Sequence, residues 1–184
     1  MLGALRQLFI PKPPAGVEAT YIALLAAARN PFFYEDLGVP DTLDGRFELI
    51  VLHLFLLQHR LVEPRADTTT TAFAQFLSEA FFNDMDNSLR ELGVADTGVS
   101  KRIKKMGAAY HGRLQAYSAG LADATVLRAA LARNLYGTVA QGDVALLDRL
   151  GRYVETMAAR LAQSEVDVIL RGAYVWPDAA TLGL

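Results

Sequence analysis

Cysteine is absent from the 184-residue sequence. Its absence removes disulfides, thiolate metal sites and cysteine nucleophiles, and it fits a reducing compartment. Long apolar runs are missing too. The most hydrophobic stretch, Leu49 to Leu57, is interrupted by His53 and flanked by Glu48 and Gln58, well short of the roughly 20 apolar residues that a membrane-spanning helix needs. Positive charge is not in excess: the formal net charge is -2, which argues against a general nucleic-acid binder and against DNA as a partner. The opening MLGALRQLFIPKPP shows no small-residue cleavage pattern, so neither a signal peptide nor a presequence is expected. No glycine-rich phosphate loop occurs, and no serine lies in a nucleophile-elbow sequence. Internal repeats, low-complexity tracts and period-two alternation are lacking as well.

What is present is apolar and helical in pattern. Hydrophobic residues make up 52% of the chain and the mean hydropathy is +0.20. Such values mean either a generous core or apolar surface kept for a partner. The organisation expected is an N-terminal arm over 1–14 and one helical domain over 15–184. In the arm, Leu2, Leu5, Leu8 and Phe9 share one side of a short helix that Pro11, Pro13 and Pro14 end. It packs on the domain or lies on a membrane surface.

The pattern predicts an alanine-rich helix over 17–29, closed by Asn30-Pro31. Phe32-Phe33-Tyr34 then forms an aromatic connector. A helix over 46–62, capped by Asp41 or Asp44, is apolar nearly all round, as the buried centre of a bundle is. His53 lies inside it with no carboxylate or second histidine one turn away, so a hydrogen-bonded core histidine is expected. Thr71 is expected to cap the next helix, in which Phe73, Leu77, Phe81, Met85, Leu89 and Leu92 recur at spacings of three or four and Gly93 stops the run. After a turn at Asp96-Thr97-Gly98, a regular stripe runs from Val99 through Ile103, Met106, Tyr110, Leu114 and Tyr117 to Leu121. These two helices should pair as an antiparallel αα-hairpin. Helices over 123–136 and from Asp143 onward follow, then a tail over 166–176 that extends after Gly172. The fold class expected is all-α, a bundle of about six helices with a short extended C-terminal tail.

Catalysis finds no positive support in these residues. Asp84 and Asp86 point ~200° apart on a helix and cannot share one ion. Glu165 and Asp167 have the same unhelpful spacing. No metal site, cofactor or catalytic residue is expected. A helical quinone- or isoprenoid-binding protein, or a metal-dependent isoprenoid enzyme, is the alternative. The charges say more. Glu79, Asp84, Asp86 and Glu91 form an acidic face opposed by Arg90 alone, while Lys101, Arg102, Lys104, Lys105 and Arg113 follow without an acid among them. With the helix starting near Val99, Lys101 to Lys105 fall in its first turns, where the macrodipole disfavours cations. Either Asp84, Asp86 or Glu91 neutralises them across the turn, or they await an anionic partner.

Three stretches carry a family resemblance. FFYEDLGVPDTLDGRFELIVLHLFLLQHRL, then FLSEAFFNDMDNSLRELGVADTGVSKRIKKM, then RNLYG resemble the ubiquinol–cytochrome c chaperone family over roughly Asn30 to Gly137. The segment from Leu170-Arg171-Gly172 to Pro177 is similar more loosely. The resemblance implies an all-helical, non-enzymatic assembly factor for the respiratory ubiquinol–cytochrome c reductase. Mitochondrial relatives act with a small partner near the ribosomal tunnel exit on newly made cytochrome b. Without a presequence the chain resembles a bacterial member, working in the cytoplasm or peripherally on the inner face of the cytoplasmic membrane. Phe32, Phe33, Phe82 and Met85 are the expected client contacts. Lys101, Arg102, Lys104 and Lys105 are expected to meet an anionic surface, ribosomal RNA or lipid.

Overall fold

The computed structural model describes residues 12–63, 66–137 and 143–184. The N-terminal arm expected over 1–14, with its short amphipathic helix, falls almost wholly outside the described residues. Element order is α1 (Gly16–Ala28), α2 (Phe32–Glu35), α3 (Leu43–Leu61), α4 (Thr68–Glu91), α5 (Asp96–Ala122), α6 (Ala124–Leu135), α7 (Val144–Gln163) and α8 (Val166–Leu170), followed by a 3-10 turn, Ala179–Thr181. No strand occurs among the described residues. The fold is all-α, with six long helices among the described residues, as the periodicity requires.

Helix α3 is the centre. Every residue from Glu48 to Gln58 is buried, and α3 packs against α1, α4, α5, α6 and α7. An apolar helix with no polar stripe can be stable in water only when surrounded in this way. Its N-cap is Thr42, whose hydroxyl accepts from the Gly45 amide at 3.1 Å, and not Asp41 or Asp44 as the sequence suggested. Asp41 is drawn instead into an ion pair with Arg46. Further along, the DTTTT connector turns out helical: Asp67 caps α4 by accepting from the Thr70 amide at 2.7 Å, so the helix begins at Thr68 and not after Thr71.

The α4–α5 hairpin has the expected antiparallel sense. Ser78 meets Tyr110 at 3.0 Å, and farther along α4 Phe82 reaches back to Gly107, so rising numbers on one helix face falling numbers on the other. The link is a Schellman turn. Gly93 has φ +76°, its amide donates to Arg90 O, and the Val94 amide donates to Leu89 O, a closure that needs a left-handed residue and so favours glycine. At the α5–α6 corner Asp123 ends one helix and caps the next. A side chain on Gly120 would fall 2.7 Å from Leu127 Cα, so α6 folds back there only because Gly120 has none.

One polar cluster is buried in the centre. His53 Nδ1 lies 2.7 Å from Leu49 O, and Nε2 lies 2.7 Å from the Tyr153 hydroxyl. Since a carbonyl can only accept, Nδ1 carries the proton and Tyr153 donates to Nε2. The neutral imidazole is thus fully satisfied, as expected of a core histidine. Phe33, Tyr153 and Trp176 surround it at ring separations of 5.1–5.6 Å. Trp176 comes from the extended tail, and Leu182 and Leu184 also pack on the core. Burial holds the His53 pKa down at about 4, below the 6.5 of a free histidine. The unfolded chain therefore takes up a proton that the folded chain refuses. Stability from this group is fully present above pH 6.5 and is lost as pH falls towards 4, on the order of 3 kcal/mol across the window. Urea midpoints measured from pH 7 to 4.5 should fall more steeply for the wild type than for His53→Gln; parallel curves would contradict the buried neutral state. Tyr153→Phe, which leaves Nε2 without a donor, should cost about 1–3 kcal/mol in the same assay.

Candidate functional site

Three helix ends meet the middle of α5 at one side of the bundle: the start of α3, the end of α4 and the end of α6. Between them lies an open cleft of about 580 Å³. Leu43, Leu89, Leu92, Met106 and Leu135 supply its apolar lining, and Arg102, Lys105, Arg113 and Arg133 supply cations. Leu43 is 72% exposed and Leu92 is 65% exposed. Large aliphatic side chains left this open and lining one concavity are the kind of surface a partner covers. Leu92 continues the core periodicity of α4 and was expected to be buried. The chain leaves the helix at Gly93, and the last position of the stripe has no neighbour left to pack on.

Glu48 and Arg113 form the wall of the cleft. Arg113 Nε and Nη2, one edge of the guanidinium, donate to the two Glu48 carboxylate oxygens, a two-pronged pair, and Arg113 Nη1 also donates to Ala109 O at 3.1 Å. The guanidinium lies 6.0 Å from the centre of the Phe47 ring. Burial pushes the Glu48 carboxyl above its ordinary pKa, and Arg113 pulls it partly back. This pair was not foreseen, although a lone glutamate in an apolar helix is itself a sign that a cation must lie opposite. Arg133 was overlooked for a different reason: it reads as an ordinary polar-face residue of α6.

The four expected cations divide in two. Arg102 and Lys105 line the cleft, whereas Lys101 and Lys104 lie outside its lining, all four exposed. None forms an ion pair with a described residue. The proposed neutralisation by Asp84, Asp86 or Glu91 does not occur. Asp86 is held by Arg90 at 2.5 Å, Arg90 also contacts Asp96, and Asp84 accepts from the Tyr21 hydroxyl at 2.9 Å. The helix macrodipole does not act on these cations as expected, however. Helix α5 begins at Asp96, not near Val99, so its first turn carries an acid and Lys101 lies beyond the reach of the terminal dipole.

Phe32 and Phe33 were expected to touch a client, and here the structure disagrees. They are 7% and 0% exposed, locked into the core by α2, with Arg149 stacked on Phe32 at 5.5 Å. A connector with three consecutive aromatics plugs the core in this fold. Phe82 and Met85 are half-buried against the hairpin core, Phe82 edge-on to Phe81 and Tyr110, and neither lines the cleft. A second open cavity of about 660 Å³ lies between α3 and α5, lined by Phe55, His59, Val62 and Leu114 among others. It gathers no expected site residue. Among the described residues no three His, Asp or Glu side chains group as metal ligands, and no helix is long and apolar enough to cross a membrane.

The ubiquinol-cytochrome C chaperone family matches this sequence over residues 35–176. The chain belongs to that family. The match reaches beyond Gly137 and takes in the tail as far as Trp176, where the resemblance was looser. The crystal structure of the Cbp3 homolog from Brucella abortus is similar at 36% sequence identity and a TM-score of 0.81, covering 98% of this chain and 99% of that one. Among curated proteins none matches the chain. As a member of a chaperone family, it has its most suggestive surface in the cleft and not at Asp84 or Asp86, whose carboxylates already have partners. Glu48→Ala should strand Arg113 in a mostly buried position and destabilise the fold by about 2–3 kcal/mol, less than a fully buried pair would lose. Urea denaturation checks this, and a change below ~0.5 kcal/mol would mean that solvent screens the pair.

Proposed function

We propose that this chaperone acts without catalysis, binding newly made cytochrome b during assembly of the ubiquinol–cytochrome c reductase. Family membership supports an assembly role. The observation that carries the surface is the pairing of Leu43 and Leu92, both largely exposed, with cations lacking ion pairs in one concave cleft. Apolar segments of an unassembled membrane protein have to be kept from water and from each other, and a cleft with an apolar floor provides cover for one of them. Half-buried Met106 gives that floor an adaptable side chain.

Lys101 and Lys104, together with the outward surface of Arg102 and Lys105, form a cationic strip on α5. This strip would hold the chaperone near an anionic surface, either lipid head groups on the inner face of the cytoplasmic membrane or ribosomal RNA, and a small partner protein could share the same end of the bundle. Attraction of this kind weakens with salt, as about 1 kcal/mol per Lys or Arg near a charged surface is screened within a Debye length. The quinone- or isoprenoid-binding alternative gains nothing from the site: the cleft is open, and Glu48, which lines it, is already paired with Arg113.

Changing Lys101, Arg102, Lys104 and Lys105 together to Ala should abolish salt-sensitive co-sedimentation with ribosomes or anionic vesicles while leaving the helical circular dichroism intact. Unchanged co-sedimentation would remove the cationic strip from the account. Leu43→Ser with Leu92→Ser should lower the yield of cytochrome b co-purified from membranes by several-fold. Full recovery would remove the cleft.

A further inference from the structure

The cleft is electrically lopsided. On its α3 side lies Asp44, exposed in the first helical turn, together with Glu48, which Arg113 already satisfies. On its α5 and α6 side lie Arg102, Lys105 and Arg133, all exposed and without an ion pair among the described residues. Between the two sides run Leu43, Leu89, Leu92, Met106 and Leu135. An occupant with no charge would leave the three cations without counter-charges beside the apolar surface it covers, which is unfavourable. A bulk polyanion fits poorly. Phe47, the one aromatic side chain lining the cleft among the described residues, is half-buried, with the Arg113 guanidinium 6.0 Å from its ring centre and the Phe81 ring 5.8 Å away, a poor platform for a base to stack on.

We infer that the cleft selects apolar client segments that carry a carboxylate, an Asp or Glu among Leu, Ile or Phe residues, with the acid directed to Arg102, Lys105 and Arg133 and away from Asp44. Two guanidinium groups and an ammonium at the margin of an apolar floor suit a planar carboxylate, which can take two parallel hydrogen bonds from one arginine. Asp44 opposite sets the direction in which the segment lies. A carboxylate inside an otherwise apolar membrane segment is also the feature most costly to leave unpaired before that protein is assembled. The inference rests on the cleft being the client site.

Fluorescence anisotropy with labelled peptides tests it on the full chain. One peptide carries a single Glu among Leu and Ile residues, and its twin carries Gln at the same position. The Glu peptide should bind about tenfold more tightly. In the Arg102→Ala, Arg133→Ala double variant, and independently in Lys105→Glu, that preference should shrink to under about twofold, the loss of affinity falling mainly on the Glu peptide. Leu43→Ser with Leu92→Ser should weaken both peptides alike. Equal binding of the two peptides, sensitive to the leucine changes, would overturn carboxylate selection and leave the cleft as client site. Binding that ignores the leucine changes would overturn both. Displacement of the Glu peptide by anionic phospholipid vesicles or by RNA homopolymer, at concentrations where neutral vesicles do nothing, would show phosphate to be the preferred anion and would overturn the inference.

Discussion

A helix that is apolar on every side has to be surrounded, and Leu43–Leu61 is such a helix. All the rest of the bundle can be understood as the means of surrounding it. Five other helices pack on it directly, and the tail adds Trp176 over the His53 ring. The one polar side chain at its midpoint with no route to water, His53, is satisfied from within by its own helix and by Tyr153 of α7. That pair ties α3 to α7 with a directional bond where hydrophobic contact alone would permit sliding. Gln58 does the same towards α4, donating to Ala74 O and Ser78, and Glu48 does it towards α5 through Arg113. Three polar residues on one apolar helix thus fix the positions of three different neighbours.

The candidate site follows from where this surrounding stops. Helices α4 and α6 end, and α3 begins, at one side of the bundle, against the middle of α5. Their terminal apolar positions have no further layer to pack against, so Leu43 and Leu92 stay open, while one turn inward Leu89 on α4 is buried and Phe47 on α3 is half-buried. Cations gather on the same side because α5 carries Arg102 and Lys105 on the face that turns to α3 and α6. The acids that might have neutralised them are committed elsewhere, Asp84 to Tyr21 and Asp86 and Asp96 to Arg90. Apolar exposure and unbalanced charge therefore coincide by construction, and a chaperone family has a use for both.

Helix existence and the central role of α3 were legible in the sequence because periodicity and the lack of a polar stripe are long-range signals averaged over many residues. Caps were not: Thr42 and Asp67 win by local geometry against equally eligible neighbours, and the early start of α5 at Asp96 undid an electrostatic argument that depended on a shift of a few residues. The aromatic run at Phe32-Phe33 could be read as plug or as docking surface, and only packing against His53 and Tyr153 decides for the plug. The cleft itself could not be read at all, since Leu43, Leu92, Arg113 and Arg133 come from four helices and meet only when the bundle closes. The cations of α5 were visible as an excess, but their division into a cleft-lining pair and an outward pair needs the helix phase.

The central claim is that an unassembled client lies in the cleft at this side of the bundle. Site-specific photo-crosslinking in cells tests it most directly, with the photoreactive residue placed at Leu43 or Leu92 and, as a control, at Val175, which is 84% exposed in the C-terminal tail. The account predicts cross-links from Leu43 and Leu92 to unassembled cytochrome b that disappear once the reductase is complete, and none from Val175. Cross-links to cytochrome b from Val175 alone would contradict it.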